Sequence, residues 1–240
     1  MCNFFSFVTD PVNHPAEYYY FDWEYRKAHM EEDGADSHSH ICARFKLDED
    51  VCNKYEFNPL TKAFTVDQIN SNRDDSEAAE KWANRLDFKT IVEPLIVKPI
   101  VNPFELPKVE QVTDEQVAWL REWDSVWDAA WASVRASIEA SVGYSVRDLV
   151  WASVRDLVGY SVRASIEASV GASVGDAVGT SVGAYFSSFF AINYKYNFSS
   201  VANLWNAGLV PSFDGKVWRL HSGKDAKIIY EWTPDKEREE

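Results

Sequence analysis

Residues 131–186 read WASV RASI EASV GYSV RDLV WASV RDLV GYSV RASI EASV GASV GDAV GTSV GAYF, and this run of tetrapeptides decides how the chain folds. The fourth place is Val or Ile in thirteen consecutive units and Phe186 in the last. The third is Ser in most, with Leu149, Leu157, Ala177 and Tyr185 as the exceptions. The first accepts Trp, Arg, Glu or Gly, so it is not packed against one fixed shape. The β-branched fourth place is therefore the inward one. In an α-helix four residues turn through about 400°, so this row drifts by about 40° per unit and circles a straight helix. One unbroken helix would have to be buried on every side. Helices of four or five units instead present an i, i+4 ridge suited to packing on another such ridge. Gly143-Tyr144 and Gly159-Tyr160 are the places for breaks. The alternative is a β-solenoid with four residues per side, which keeps the period without drift. The Ala, Arg and Glu in the tract, and the helix that leads into it, favour helices.

That leading helix begins near residue 114. Thr113 and Gln116 form a capping box, in which each side chain satisfies a free backbone donor. Val117, Leu120, Trp123, Trp127, Ala130 and Trp131 then recur at helical spacing, already in phase with the repeat. At the far end, Gly171, Gly175, Gly179 and Gly183 form a zipper of small residues that lets helix backbones approach closely. Conditional membrane insertion or oligomer packing would use such a stripe. A mildly apolar segment favours helix packing within the fold, and no 18-residue apolar run is present.

Both flanks mix strands and helices. Asn3–Thr9 and Tyr18–Phe21 are expected as strands, followed by helices over Trp23–Met30 (ending by Gly34) and from an Asp36 cap to Phe45. Tyr55–Phe57 and Ala63–Val66 flank Asn58-Pro59-Leu60-Thr61 as a hairpin, and Ser76 is expected to cap a helix to Leu86. Pro94 and Pro99 make Ile91–Val101 an edge strand or an extended connector. After the tract, Ser199 or Ser200 is expected to cap a short helix ending at Gly208, and Lys216–Leu220 with Ala226–Trp232 form a terminal hairpin. The charged tail Lys236–Glu240 is expected to fray. The fold class is α+β: an N-terminal domain over 1–107, a connecting helix over 113–130, the tract over 131–186 and a C-terminal helix and hairpin over 187–240.

Charge narrows the partners. The chain carries −14, and residues 1–110 hold 12 basic against 21 acidic residues, a net of −9. No basic face emerges, so direct binding to nucleic acid is not expected, whereas a basic protein surface suits the excess. The opening MCNFFSFVTD lacks a basic region and meets Asp10 early, unlike a secretory signal. With Cys2, Cys42 and Cys52 the only cysteines, reduced thiols in a cytosol are expected.

The sharpest chemical cluster is His38-Ser39-His40-Ile41-Cys42, with Cys52 ten residues on. Zinc takes four N or S ligands, and His38 and Cys42 would share a helix face; His38, His40, Cys42 and Cys52 are the candidate set. The spacing matches no zinc motif, so a buried or solvated His pair with core thiols is the plainer reading, and no cofactor is expected. Cys2 would be an N-terminal nucleophile if Met1 were removed, with its own amine as base. Amidotransferases that start Met-Cys continue with a glycine-rich pattern that Asn3-Phe4-Phe5 does not supply. Together with His38 and His40 it completes the catalytic candidates. Asp22, Glu24 and the run Glu31-Glu32-Asp33 are carboxylates with no spacing that singles out a pair. The aromatics Tyr19, Phe21, Trp23, Trp205, Trp218 and Trp232 are the candidate binding surface, against the simpler expectation that they fill cores.

The segments DSHSHIC, DEDVCNKYEFNPLTKAF, LDFKTIVEPLIVKPIVNPF and LVPSFDGKVWRLHSGKDAKIIYEW, around a Ser-Val tract, resemble a group of uncharacterised proteins from bacteriophages and gut bacteria. The resemblance implies a bacterial cytoplasmic setting and transfers no activity. The first expectation is a non-enzymatic interaction protein of a phage or mobile element, with the tract as spacer or homo-oligomerisation element and a protein as partner. An enzyme or metal protein centred on His38, His40 and Cys42 is the second. An acidic mimic of DNA, like the pentapeptide-repeat inhibitors of gyrase, ranks last because this tract is nearly neutral.

Overall fold

In the computed structural model, which describes residues 5–30, 36–170 and 174–234, the tract is helical along its described length. No solenoid forms. The fourth-place residues are buried from Val134 to Phe186, with Val170 alone half-buried. Both Gly-Tyr steps are breaks, but of different kinds. At the first, Gly143 (φ 80°, ψ 169°) interrupts the helix Trp127–Val154. At the second, Arg155–Gly159 forms a π turn. A π turn holds one more residue per hydrogen-bonded ring than an α turn, so it takes back the angle that an i, i+4 row gains. The inward row survives because the helix changes pitch.

The twenty residues 131–150 and the twenty after them contain the same five tetrapeptides in different orders. Identical words therefore meet different surroundings. In the first RDLV, Arg147 is 2% exposed, ion-paired with Glu139 and with Asp148 (Nη2 to Oδ1, 2.7 Å), and its guanidinium lies 4.2 Å from the Tyr144 ring centre. In the second, Arg155 is partly exposed and pairs with Asp156 at 2.8 Å.

The chain divides into two units, Met1–Pro99 with Glu139–Val150, and Ile100–Ile138 with Trp151–Glu240. The first runs β1 (Phe5–Thr9), β2 (Tyr18–Tyr19), α1 (Trp23–Ala28), α2 (His38–Phe45), β3 (Asn53–Phe57), β4 (Phe64–Gln68) and α3 (Ser76–Ala83). Its antiparallel sheet has the order β2-β1-β3-β4. The pairs Phe5↔Phe57, Phe7↔Tyr55 and Thr9↔Asn53 put one face of the sheet under α3, where Ala79 and Ala83 are buried. The opposite face packs Val8 with Phe21, Ile41, Cys42 and Cys52. Ser37, rather than Asp36, caps α2, because its hydroxyl reaches the His40 amide. Ile91–Val101 is an extended connector rather than a strand of either sheet.

The first α-helix of the second unit is α4 (Asp114–Asp124), whose Thr113–Gln116 capping box is present with both bonds made. This helix does not run on into the tract. Ser125 turns its hydroxyl back to the Glu122 carbonyl (2.6 Å) and Val126 leaves helical geometry, so α5 (Trp127–Val154) starts afresh. Past the π turn come α6 (Tyr160–Val170), α7 (Gly175–Ser187), α8 (Ser199–Asn206), β5 (Val210–Phe213), β6 (Trp218–Ser222) and β7 (Lys227–Trp232). The sheet order β5-β6-β7 adds one strand to the expected hairpin. Gly183 stands where a Cβ would lie 2.4 Å from the Trp131 ring, and Gly175 where one would meet Arg163. Two of the zipper glycines thus serve close packing inside this unit. Tyr185 stacks on Trp205 (4.7 Å), and the two bracket Val101: its amide donates to the Tyr185 hydroxyl, and its carbonyl accepts from the Trp205 indole. Met1–Phe4, Glu31–Gly34, Gly171 and the tail Lys236–Glu240 lie outside the described residues.

Candidate functional site

The polar centre of the first unit is Asp75, which sits at the N-cap position of α3 without capping it. Asp74 takes up the local bond instead, accepting the Ser76 amide at 2.9 Å. The Asp75 carboxylate is thereby left for the sheet. Its Oδ1 accepts from the Thr9 hydroxyl (3.1 Å), the Asn53 amide (2.8 Å) and the Tyr55 hydroxyl (2.6 Å). Oδ2 takes none of these three. Asn53 also stitches the preceding loop to β3, donating to the Arg73 carbonyl and accepting from the Ser71 amide, both at 2.9 Å. Arg73 in turn donates to the Pro11 carbonyl. Burial, and then its bond to Asp75, push the Tyr55 phenol well above its ordinary range, so it stays a donor.

Beside this hub lies an aromatic shelf. Tyr18, on the edge strand β2, stacks on Trp82 of α3 with ring centres 4.3 Å apart and planes 3° from parallel. Trp82 rests on Phe7 at 4.9 Å, and both members of the stack stay half-buried. The Tyr18 phenol is raised by burial and by the negative charge of Asp75. A shallow concavity lined by Arg73, Asp74, Asp75, Ser76, Glu77 and Lys81 adjoins them. Carboxylates next to a rigid aromatic face attract organic cations, because the ring quadrupole and the carboxylate charge act in the same direction.

The sequence candidates lie elsewhere. His38 is 8% exposed; its Nε2 donates to the Tyr55 carbonyl (3.0 Å) and its Nδ1 faces Asp67 (3.3 Å). His40 is hydrogen-bonded to Ser37 at 2.8 Å. Cys42 and Cys52 are free, buried thiols that hydrogen-bond to each other. Burial raises both, Cys52 to about 12, so neither is a thiolate at neutral pH. Among the described residues no group of three or more His, Cys, Asp or Glu could hold a metal ion. Cys2 and the run Glu31-Glu32-Asp33 lie outside the described residues. Asp22 caps α1 by accepting the Tyr25 amide. Of the candidate binding aromatics, Phe21, Trp23, Trp205 and Trp218 are buried and belong to cores, because small sheets need large side chains to fill them. Tyr19 and Trp232 are half-buried.

One chemically suggestive pair escaped the sequence reading. Ser212 on β5 and His221 on β6 are both fully buried, with Oγ 2.8 Å from Nε2. The Nδ1 of His221 lies 2.8 Å from the Ala226 carbonyl, which only accepts, so Nδ1 carries the proton and Nε2 accepts from Ser212. A nucleophile–base pair has this geometry, but here the third group is a carbonyl rather than a carboxylate, and both side chains are enclosed. Pairing of β5 with β6 was the only signal, and β5 was not expected.

Burial lowers the His221 pKa. The unfolded chain therefore binds the proton first. Stability from this residue is intact above the unfolded value of about 6.5 and falls as pH drops below it. Urea titrations at pH 7 and pH 5 should show a loss in the native chain that is smaller in His221→Gln.

No protein-family model matches the chain, and no curated protein or solved structure matches it. Fold and site therefore rest on the residues themselves: an α+β chain with a helical tetrapeptide tract, an acidic surface and, among the described residues, no helix long and apolar enough to cross a membrane.

Proposed function

We propose that the chain is a non-enzymatic interaction protein whose first unit receives a basic group of a partner protein at the Tyr18–Trp82 shelf beside Asp75. The stacked, half-buried aromatic pair next to a fixed carboxylate carries this reading. The residues with catalytic potential point the same way: Cys42 and Cys52 are enclosed and hydrogen-bonded to each other, and Ser212 and His221 are enclosed and hydrogen-bonded to each other. The excess of acidic residues over 1–110 supplies the long-range attraction for such a partner. A phage or mobile-element origin and a bacterial cytoplasmic setting follow only from the resemblance of the four quoted segments.

Bacterial lysate passed over the immobilised chain tests the reading, with bound proteins and small molecules identified by mass spectrometry. A basic protein retained by the native chain and released by Asp74→Lys with Glu77→Lys supports it. Capture of the same set by both chains, or of a turned-over small molecule, refutes it.

A further inference from the structure

Tyr18 is the outermost ring of a stack. Trp82 covers one side of it at 4.3 Å, and Trp82 rests in turn on Phe7 and Tyr20, at 4.9 and 5.5 Å. Apart from Trp82 and, at 6.3 Å, Phe7, no ring or cation approaches Tyr18 among the described residues. The ring is half-buried on the edge strand β2, so its exposed surface is the side away from Trp82. Asp75 stands close by. Tyr18 is paired with Thr9 across β2 and β1, and the Thr9 hydroxyl donates to Asp75 Oδ1. Asp75 also precedes Trp82 by seven residues, two helical turns, and so shares its face of α3. Thr9, Asn53 and Tyr55 all donate to Oδ1, and among the described residues Oδ2 has no hydrogen-bond or ion-pair partner. The cations of this surface are engaged elsewhere: Lys81 is paired with Glu77, and Arg73 donates to the Pro11 carbonyl.

A ligand here has to satisfy a flat aromatic face and one carboxylate oxygen together. An ammonium spreads three donors around a point charge, so laying it on a ring strips water from donors that the ring cannot replace. A guanidinium is flat and more weakly hydrated, and its five N–H bonds lie in its plane. On Tyr18 it would extend the stack while every donor still points sideways, toward Asp75 or solvent. Arginine is the commoner cation over aromatic rings for the same reason.

We infer that the shelf is an arginine site, in which a partner's guanidinium stacks on the open side of Tyr18 and donates to Asp75 Oδ2. The inference rests on the proposed function and names the group that the shelf receives. N-acetylarginine methylamide, N-acetyllysine methylamide and N-acetylcitrulline methylamide, each titrated into the full chain, test it. The readout is the NMR signal of the Trp82 indole N–H, assigned by its loss in Trp82→Phe. The arginine probe should shift that signal to saturation. The lysine probe should bind about tenfold more weakly, and the uncharged citrulline probe should leave the signal in place. Tyr18→Phe keeps the ring and should keep the preference for arginine, whereas Tyr18→Leu should abolish it. Asp75→Asn should weaken the arginine probe by about tenfold, since a charge-assisted bond becomes a neutral one. The backbone amide signals of each variant report that it is folded. Equal binding of the arginine and lysine probes would overturn this inference and leave the basic-group reading standing. Arginine binding that survives Tyr18→Leu would overturn it as well. No shift with any probe would overturn both.

Discussion

Trp218→Ala should cost about 3–5 kcal/mol, the usual loss for a buried aromatic cut to a methyl group, and should be visible as a large drop in the urea midpoint. Trp218 is fully buried on β6, stacks on Phe213 with ring centres 4.7 Å apart and meets Trp127 edge-on at 5.8 Å. Its indole N–H donates to Asp124 Oδ1 at 2.7 Å, and Asp124 is itself only 5% exposed. Truncation removes the ring that three elements share and one donor from a buried carboxylate. Trp218→Phe separates these effects. It keeps a ring against Phe213 and loses the N–H, so its cost should fall to about 1–3 kcal/mol. Equal losses in the two variants would show that the hydrogen bond, rather than the stacking, holds β6 to α4.

The same substitution in the same tetrapeptide should have opposite signs at its two occurrences. Gly143, in the first GYSV, has φ 80° and ψ 169°, a region that essentially only glycine occupies, and a Cβ there would come within 3.3 Å of Met30. Gly143→Ala should destabilise by about 1–3 kcal/mol. Gly159, in the second GYSV, is helical, and its Cβ would sit 3.4 Å from Val182 in ordinary contact. Gly159→Ala should stabilise by up to about 1 kcal/mol, since alanine loses less freedom on entering a helix. Thermal melts of the two variants decide the matter. A shared sign would mean that the helix interruption at Gly143 is not fixed by that residue.

The tract was the most legible part of the chain, because a strict period marks the inward row whether the units form helices or a solenoid, and the residue types between favour helices. Val and Ile at every fourth place marked the buried face, and the two Gly-Tyr steps marked the breaks. What the period could not give was the form of each break, since GYSV carries the same information in both copies. The capping box at Thr113 was legible because it is local. The end of that helix was not: Trp123 and Trp127 keep the spacing, but Ser125 offers its hydroxyl to a carbonyl one turn back, and Val126 drops out. Strand β5 was hidden by its length and by Pro211, which a sheet edge tolerates because no ladder donor is needed there. The Asp75 hub was invisible for another reason. Thr9, Asp75 and the β3 residues Asn53 and Tyr55 come from three separate segments, and the pairing of β1 with β3 and the packing of α3 on that sheet bring their side chains to one oxygen.

The reshuffled order of the five tetrapeptides has a consequence for how such a chain changes over generations. Because every word ends in an inward β-branched residue, copying errors that add, drop or reorder whole words leave the buried stripe in frame. An error of one residue would turn every later stripe outward. Length in this segment is therefore a quantity that selection can adjust in steps without redesigning a core, provided a glycine remains where the stripe must be brought back into line.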